Sequence, residues 1–183
     1  LQVGIYTLTY NVSDAAGNAA NSVTLTVNVI SQLPQVTAPS AITVAAIDQN
    51  GTPASNAAIA AFLAAAQASD PQEGILAVTH NAPDIFPLGA TSVTFTATDQ
   101  DGNFSTAQAS VSVTDQSAPV ITLTSGDTVS INVGENFVQP VSASDNVDGN
   151  LFSSISVTGS VNTLQVGIYT LTYNVSDAAG NAA

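Results

Sequence analysis

Apolar and polar residues alternate with period two through most of this chain. Leu8, Tyr10 and Val12 are separated by Thr and Asn, as are Val23, Leu25, Val27 and Val29; Val93, Phe95 and Ala97, then Ala109, Val111 and Val113, follow the same rule with Thr and Ser between them. Side chains two apart on a strand share a face, so this pattern predicts half-buried strands with one face toward a core and the other toward solvent. The segments DAAGN, DQNG, DQDGN and DNVDGN separate the runs, and their Asp-Gly and Asn-Gly steps suit the positive φ angles of tight turns. Many short strands punctuated in this way predict an all-β chain built from β-sandwiches.

One stretch departs from the pattern. In Ser55–Ser69, an alanine-rich run, Ile59, Phe62 and Leu63 fall at helical spacing and Ser55 can cap the first turn. The spacing predicts one short helix ending at Asp70-Pro71, because proline cannot continue the helical hydrogen-bond ladder.

The strand pattern also repeats. Residues 1–20, LQVGIYTLTYNVSDAAGNAA, return unchanged as residues 164–183, a period of 163 residues. Within one period a second, looser repeat appears: GIYTLTYNVSD from Gly4 aligns with GATSVTFTATD from Gly89, and each closing Asp is followed two residues later by Gly-Asn. Each period therefore holds two related domains, placed at residues 33–115 and from residue 117 onward, with Ser31-Gln32 and Gln116-Ser117 as short linkers that limit bending. Near-perfect copies in series suit a spacer, which gains length with every copy, better than an enzyme.

Residues 36–114, with TAPSAITV, THNAPDIFPLGATSVTFTATDQDGN and ASVSVTD, resemble the HYR (hyalin repeat) domain, an immunoglobulin-like module. Residues 118–183, with APVITLTSGDTVSINVGE, SASDNVDGN and VGIYTLTYNVSDAAGN, resemble the bacterial immunoglobulin-like domain that carries a DNxDGD loop, with Asn150 in place of the last Asp. The resemblance implies tandem immunoglobulin-like sandwiches of the kind strung along giant bacterial surface adhesins, outside the cell. It also implies that GIYTLTYNVSD is strand F and NSVTLTVNVI strand G, with Tyr6 and Tyr169 as tyrosine-corner residues and Thr91 at that place in the domain between. Residues 1–30 are then the F–G hairpin of a preceding domain, and residues 117–183 a domain without its last strand. One consequence is self-association, Ser22–Ile30 of one molecule completing the second domain of another into a filament.

Charge narrows the chemistry. The chain has 13 Asp and Glu, one His, and no Lys or Arg, for a net charge of −13. Phosphate-backbone binding needs a cationic surface, so nucleic acid is excluded as a partner. No run of about 18 apolar residues is present, so no membrane insertion is expected in this segment, and an export signal is expected elsewhere in a longer product. Cysteine is absent, which removes disulfides and thiolate metal sites. Every carboxylate is left to water, a backbone N–H or an inorganic cation, since no Lys or Arg exists to neutralise it.

In the immunoglobulin-like topology the B–C and F–G loops meet at one end of each sandwich, which gathers Asp145, Asp148 and Asp177 with Asp115 of the incoming linker, and Asp70, Asp99 and Asp101, with Asn103 as a further candidate, in the domain before. All-oxygen clusters of this kind predict Ca²⁺. Neither DQDGN nor DNVDGN is an EF-hand, because Gln108 or Ile155 stands where the bidentate Glu belongs. His80 has no Cys or second His to share a metal, and no activated nucleophile or matched acid and base stands out, so no catalytic residue is expected. The sequence reading is a non-catalytic, calcium-rigidified extracellular extender, one period adding roughly 70–80 Å; a filament subunit or a glycan- or protein-binding module are the alternatives. The aromatic residues are expected to point mostly inward.

Overall fold

A computed structural model describes residues 3–183; Leu1 and Gln2, the first two residues of the repeated segment, lie outside the described residues. In chain order the elements are β1 (Gly4–Tyr10), β2 (Val23–Val29), β3 (Gln35–Thr37), β4 (Ile42–Ala45), β5 (Thr52–Pro53), α1 (Ala57–Ala64), β6 (Gln67–Asp70), β7 (Gly74–Leu76) and β8 (Thr79–His80). They continue with β9 (Ile85–Phe86), β10 (Gly89–Thr98), β11 (Phe104–Thr114), β12 (Val120–Leu123), β13 (Val141–Asp145), β14 (Gly149–Asn150), a 3-10 turn at Phe152–Ser154, β15 (Ser156–Thr158) and β16 (Thr172–Asn174). The architecture is all-β and immunoglobulin-like, with one short helix, as the alternation predicts.

Packing divides the chain into two compact units. One holds the residues up to Ala38 with Ala66–His80 and Thr94–Gln108; the other holds Pro39–Ala65, Asn81–Val93 and Ala109–Ala183. In the first unit, β6 lies between β3 and β7, both antiparallel to it, with Ala68 opposite Val36 on one side and Leu76 on the other. The edge strand β8 pairs with β10 through His80 opposite Phe95, and the two rings meet edge to face with centroids 6.2 Å apart. Ala68, Phe95 and Ala97 are buried here, the last two from the predicted inward face of β10.

The second unit carries the larger core. Its β4 runs parallel to β11, Ile42 opposite Val111 and Ala45 opposite Thr114, which pairs segments far apart in sequence. Val111 and Val113 are buried on that strand together with Val93, Phe86, Ile59 and Phe62. Burying a side chain of this size contributes about 1.5–3 kcal/mol. The buried hydroxyl of Thr52 donates to the Ala45 carbonyl at 2.8 Å, so it enters the core with its hydrogen bond made. Later in the unit, β12, β13 and β14 form one antiparallel sheet and β15 with β16 another, with Val141, Ala143 and Val175 buried. The Tyr169 hydroxyl donates to the Gln165 carbonyl at 3.1 Å, the local bond expected of a tyrosine corner.

Three expectations are corrected. The helix is shorter than Ser55–Ser69: it spans Ala57–Ala64, is capped by Asn56, whose side chain accepts from the Ala58 N–H at 3.0 Å, and gives way to β6 before Asp70-Pro71. Alanine favours helix by only tenths of a kcal/mol over most residues, whereas β6 gains strand partners on both edges and buries Ala68 and Asp70. Of the ten aromatic residues only Phe62, Phe86 and Phe95 are buried, so the inward placement is not general. Lastly, β1 and β2 form the expected hairpin in a continuous register from Gly4 opposite Val29 to Tyr10 opposite Val23, yet nearly all of it is exposed. Alternation specifies a strand with two unlike faces; only packing decides whether the apolar one is covered.

Gly51 offers a test of the packing between the β4–β5 turn and β9. Its φ is +110°, and a Cβ there falls 2.0 Å from the Phe86 carbonyl oxygen, a backbone atom that cannot swing aside. At Gly74, φ is +82° and the space is open. Gly74→Ala is expected to cost about 1 kcal/mol of stability from the left-handed backbone alone, and Gly51→Ala about 3 kcal/mol or more because collision adds to strain. Urea denaturation of the two variants checks the order.

Candidate metal centres

Two turns in this chain are built alike. Asp70-Pro71-Gln72-Glu73-Gly74 joins β6 to β7, and Asp145-Asn146-Val147-Asp148-Gly149 joins β13 to β14; in both, the first Asp pairs across the strands with the closing Gly. Asp70 Oδ1 accepts from the Gln72 and Glu73 N–H groups at 2.7 and 3.1 Å. Asp145 Oδ1 accepts from the Val147 and Asp148 N–H groups at the same 2.7 and 3.1 Å. The sequence dictates this locally, since an Asp side chain at a turn reaches the backbone two and three residues on. In each case the other oxygen, Oδ2, is buried without a hydrogen-bond partner.

A second pair of turns faces the first. Between β10 and β11, Asp99 accepts from the Asn103 N–H through Oδ1 at 2.7 Å and from its amide through Oδ2 at 2.8 Å. Asp177 does the same with Asn181, both distances being 2.7 Å. The acid at the fourth position of the first turn then reaches the second: the Gln100 N–H donates to Glu73 Oε1 at 2.9 Å, and the Ala178 N–H donates to Asp148 Oδ2 at 2.6 Å. Each turn pair is thus stitched together by one carboxylate.

Where the remaining carboxylates gather differs between the copies. In the second unit, oxygens of Asp115, Asp145 and Asp148 all lie within 4.8 Å of one another. Asp115 follows β11; its Oδ1 accepts from the Ser117 N–H at 3.1 Å, and its Oδ2 is buried without a partner. Asn146 anchors the same turn by donating to the Ala46 and Ile47 carbonyls at 3.2 and 3.1 Å. In the first unit the group is Glu73, Asp99 and Asp101. The linker there offers no carboxylate: the Ser31 hydroxyl lies 3.5 Å from Asp99 Oδ2, and Gln32 Oε1 accepts from the Gln72 amide at 3.3 Å.

Of the seven carboxylates singled out by the sequence, Asp115, Asp145 and Asp148 are brought together, and so are Asp99 and Asp101. Asp177 and Asp70 do not join these groups: Asp177 is held by Asn181 and Asp70 by its own turn. Glu73 was not foreseen. The signal for it was present as the matched spacing of DPQEG and DNVDG, which puts Glu73 where Asp148 stands.

Burial pushes the carboxyls of Asp99 and Asp177 up, but the Asn103 and Asn181 side-chain and backbone donors outweigh it and hold both below the ordinary aspartate value. Asp14, in the exposed copy of the same turn, is lowered chiefly by the Asn18 amide. In the group of Asp115, Asp145 and Asp148, by contrast, the Oδ2 atoms of Asp115 and Asp145 are buried without a donor. Two like charges 4 Å apart repel by about 1 kcal/mol even in water and by more where water is thin. The chain contains no Lys or Arg to offset this.

Residues 121–183 match the family model described as bacterial surface protein, Ig-like domain. Hyalin of Strongylocentrotus purpuratus is 33% identical over 99% of this chain, and hyalin of Lytechinus variegatus 31% identical over 99%. The chain spans 16% and 35% of the length of these two relatives. An uncharacterized 81.3 kDa protein of Acholeplasma phage L2 is 36% identical over 51% of the chain.

The depressed carboxyls fix a pH dependence. A group whose folded pKa lies below its unfolded value adds stability that is full above about pH 4 and is lost as pH falls through the folded value. Thermal melts between pH 7 and pH 2.5 are expected to show a loss confined to the region below about pH 4. Asp177→Asn, which cannot titrate, is expected to be less stable at pH 7 and to lose less on acidification.

Proposed function

We propose that this chain is a non-catalytic, extracellular structural module that calcium stiffens, acting as an extender in a bacterial surface or adhesion protein. The observation that carries the reading is the pair of buried, unpartnered oxygens, Asp115 Oδ2 and Asp145 Oδ2, within a three-carboxylate group. A buried polar atom without a partner costs about 1–3 kcal/mol, more when charged. A divalent cation removes that cost, and Ca²⁺ suits an all-oxygen, carboxylate-rich site completed by backbone carbonyls or water. Asp115, Asp145 and Asp148 would hold it.

The placement supports a mechanical role. Asp115 lies just past the end of β11 and the other two ligands lie on the β13–β14 turn, so an ion shared among them ties together two segments of one unit. Removing it leaves three negative charges pressing that joint apart. The group of Glu73, Asp99 and Asp101 supports a second, separate ion in the first unit. The extracellular setting rests on the match of residues 121–183 to the bacterial surface Ig-like domain, and the role as spacer on the exact repeat of residues 1–20 at 164–183.

Calorimetry in calcium and in chelator tests this. Ligand that binds only the folded state stabilises by about 2.7 kcal/mol at 100 times its dissociation constant. Asp145→Asn or Asp148→Asn is expected to abolish most of the calcium-dependent rise in Tm, whereas Asp177→Asn is expected to keep it. Small-angle scattering is expected to differ between calcium and chelator. Identical melts and identical scattering in the two buffers overturn the proposal.

A further inference from the structure

The acids of the Asp115 group come from two places in the second unit, the end of β11 and the β13–β14 turn, and one uncharged side chain connects the two. Asn146 stands in that turn between Asp145 and Asp148, and its amide nitrogen donates to the Ala46 carbonyl at 3.2 Å and to the Ile47 carbonyl at 3.1 Å. An NH2 group carries two hydrogens, and here two backbone oxygens receive them. From Ala46 the connection runs on to β11. The Ala46 N–H donates to the Thr114 carbonyl at 2.9 Å, continuing the parallel pairing that sets Ala45 opposite Thr114. Asp115 is the next residue.

Both ends of this connection are held firmly. On the receiving side Ala46 is 5% exposed, the Ala45 carbonyl accepts from the Thr52 hydroxyl at 2.8 Å, and the Ile47 N–H donates to the Gly51 carbonyl at 3.0 Å. Gly51 in turn lies so close to the Phe86 carbonyl that no Cβ fits between them. On the donating side, Asp145 Oδ1 gathers the Val147 and Asp148 N–H groups around itself, which fixes the backbone from which Asn146 projects.

We infer that Asn146 is a positioning residue, a metal-independent clasp that sets Asp145 and Asp148 beside Asp115 and so determines how tightly the three take a cation; the identity of that cation rests on the calcium reading above. Three carboxylates repel one another, and without a counterion the repulsion acts to part the turn from the end of β11. Two hydrogen bonds from a neutral amide oppose this and add no charge. Aspartate has nearly the same shape, yet at residue 146 it would turn an oxygen toward the Ala46 and Ile47 oxygens and bring a fourth negative charge. Ligands gathered before the ion arrives bind it more tightly, because the fold has already met the cost of collecting them.

The first unit is built without this device. In its matching turn Pro71 stands where Asn146 does, and proline has no side-chain donor. The next residue, Gln72, donates to Gln32 Oε1 at 3.3 Å, a single bond between two exposed and flexible side chains. Only the second group is therefore tied by backbone acceptors.

Calcium titration calorimetry on the full chain carrying Asp101→Asn, which removes one acid of the first unit's group, isolates the second. Against that background Asn146→Ala is expected to weaken calcium binding about 10-fold or more, the size of effect expected when a group that orients metal ligands is lost. Asn146→Asp is expected to weaken it as well, in spite of the added charge. Asn146 is exposed, so both variants keep the core intact. In chelator, the carbonyl-carbon NMR shifts of Ala46 and Ile47 are expected to move in Asn146→Ala, while that of Ala45, whose partner is Thr52, stays. Calcium binding that Asn146→Ala leaves unchanged, or that Asn146→Asp tightens, overturns the positioning role and leaves the calcium reading standing. A background chain that binds no calcium overturns both together, and unmoved Ala46 and Ile47 shifts overturn the clasp itself.

Discussion

A carboxylate in this protein has no Lys or Arg to meet, and the arrangement of the loops follows from that single constraint. With no Lys or Arg, the acids are held by backbone N–H groups and asparagine amides, which are strongest when supplied from within the same turn. Asp70 and Asp145 fold their own turns by accepting from the second and third residues onward, while Asp99 and Asp177 each close a turn onto an asparagine four positions later. Glu73 and Asp148 then bridge one turn to the next. The loop ends of these sandwiches are thus shaped around their acids rather than decorated with them.

Such a scheme leaves a remainder. Turns supply N–H donors to one oxygen of a carboxylate more readily than to both, and the leftover Oδ2 atoms of Asp115 and Asp145 fall inward, beside a third acid. An ordinary protein closes such a gap with arginine. Here the composition removes that option, and it is to this gap that the proposed calcium ion answers. The two copies reach a three-acid group by different routes: both use the acid at the fourth position of the turn, Glu73 or Asp148, which is joined by Asp99 and Asp101 in one and by Asp115 and Asp145 in the other.

Much of this was legible in the sequence, and the reasons it stopped where it did are specific. The all-β class, the strands around Val93–Ala97 and Val111–Val113, and the pairing of Asp145 with Asp148 and Asp115 follow from alternation, turn chemistry and the immunoglobulin-like order. Glu73 is legible only by aligning DPQEG with DNVDG, a match of spacing in which Asp and Gly alone are shared residues. The helix was drawn too long because Ala66–Ser69 has helical composition, and nothing local reveals that β3 and β7 wait on either side of it.

The repeated segment separates the two kinds of information. Its turn is the same wherever it occurs: Asp14 with Asn18, and Asp177 with Asn181, make the same bonds in exposed and in buried surroundings. Donor and acceptor lie within five residues, so sequence alone determines them. Its strand is not the same. GIYTLTY is a seven-residue strand at Gly4–Tyr10, where Val23–Val29 lies alongside, and at Gly167–Tyr173 only Thr172 and Tyr173 belong to a strand. A strand's hydrogen bonds are made to another segment, and its apolar face is covered by others still. Which residues could form a strand was written in the sequence; which did, and what they buried, depended on the neighbours that the fold supplied.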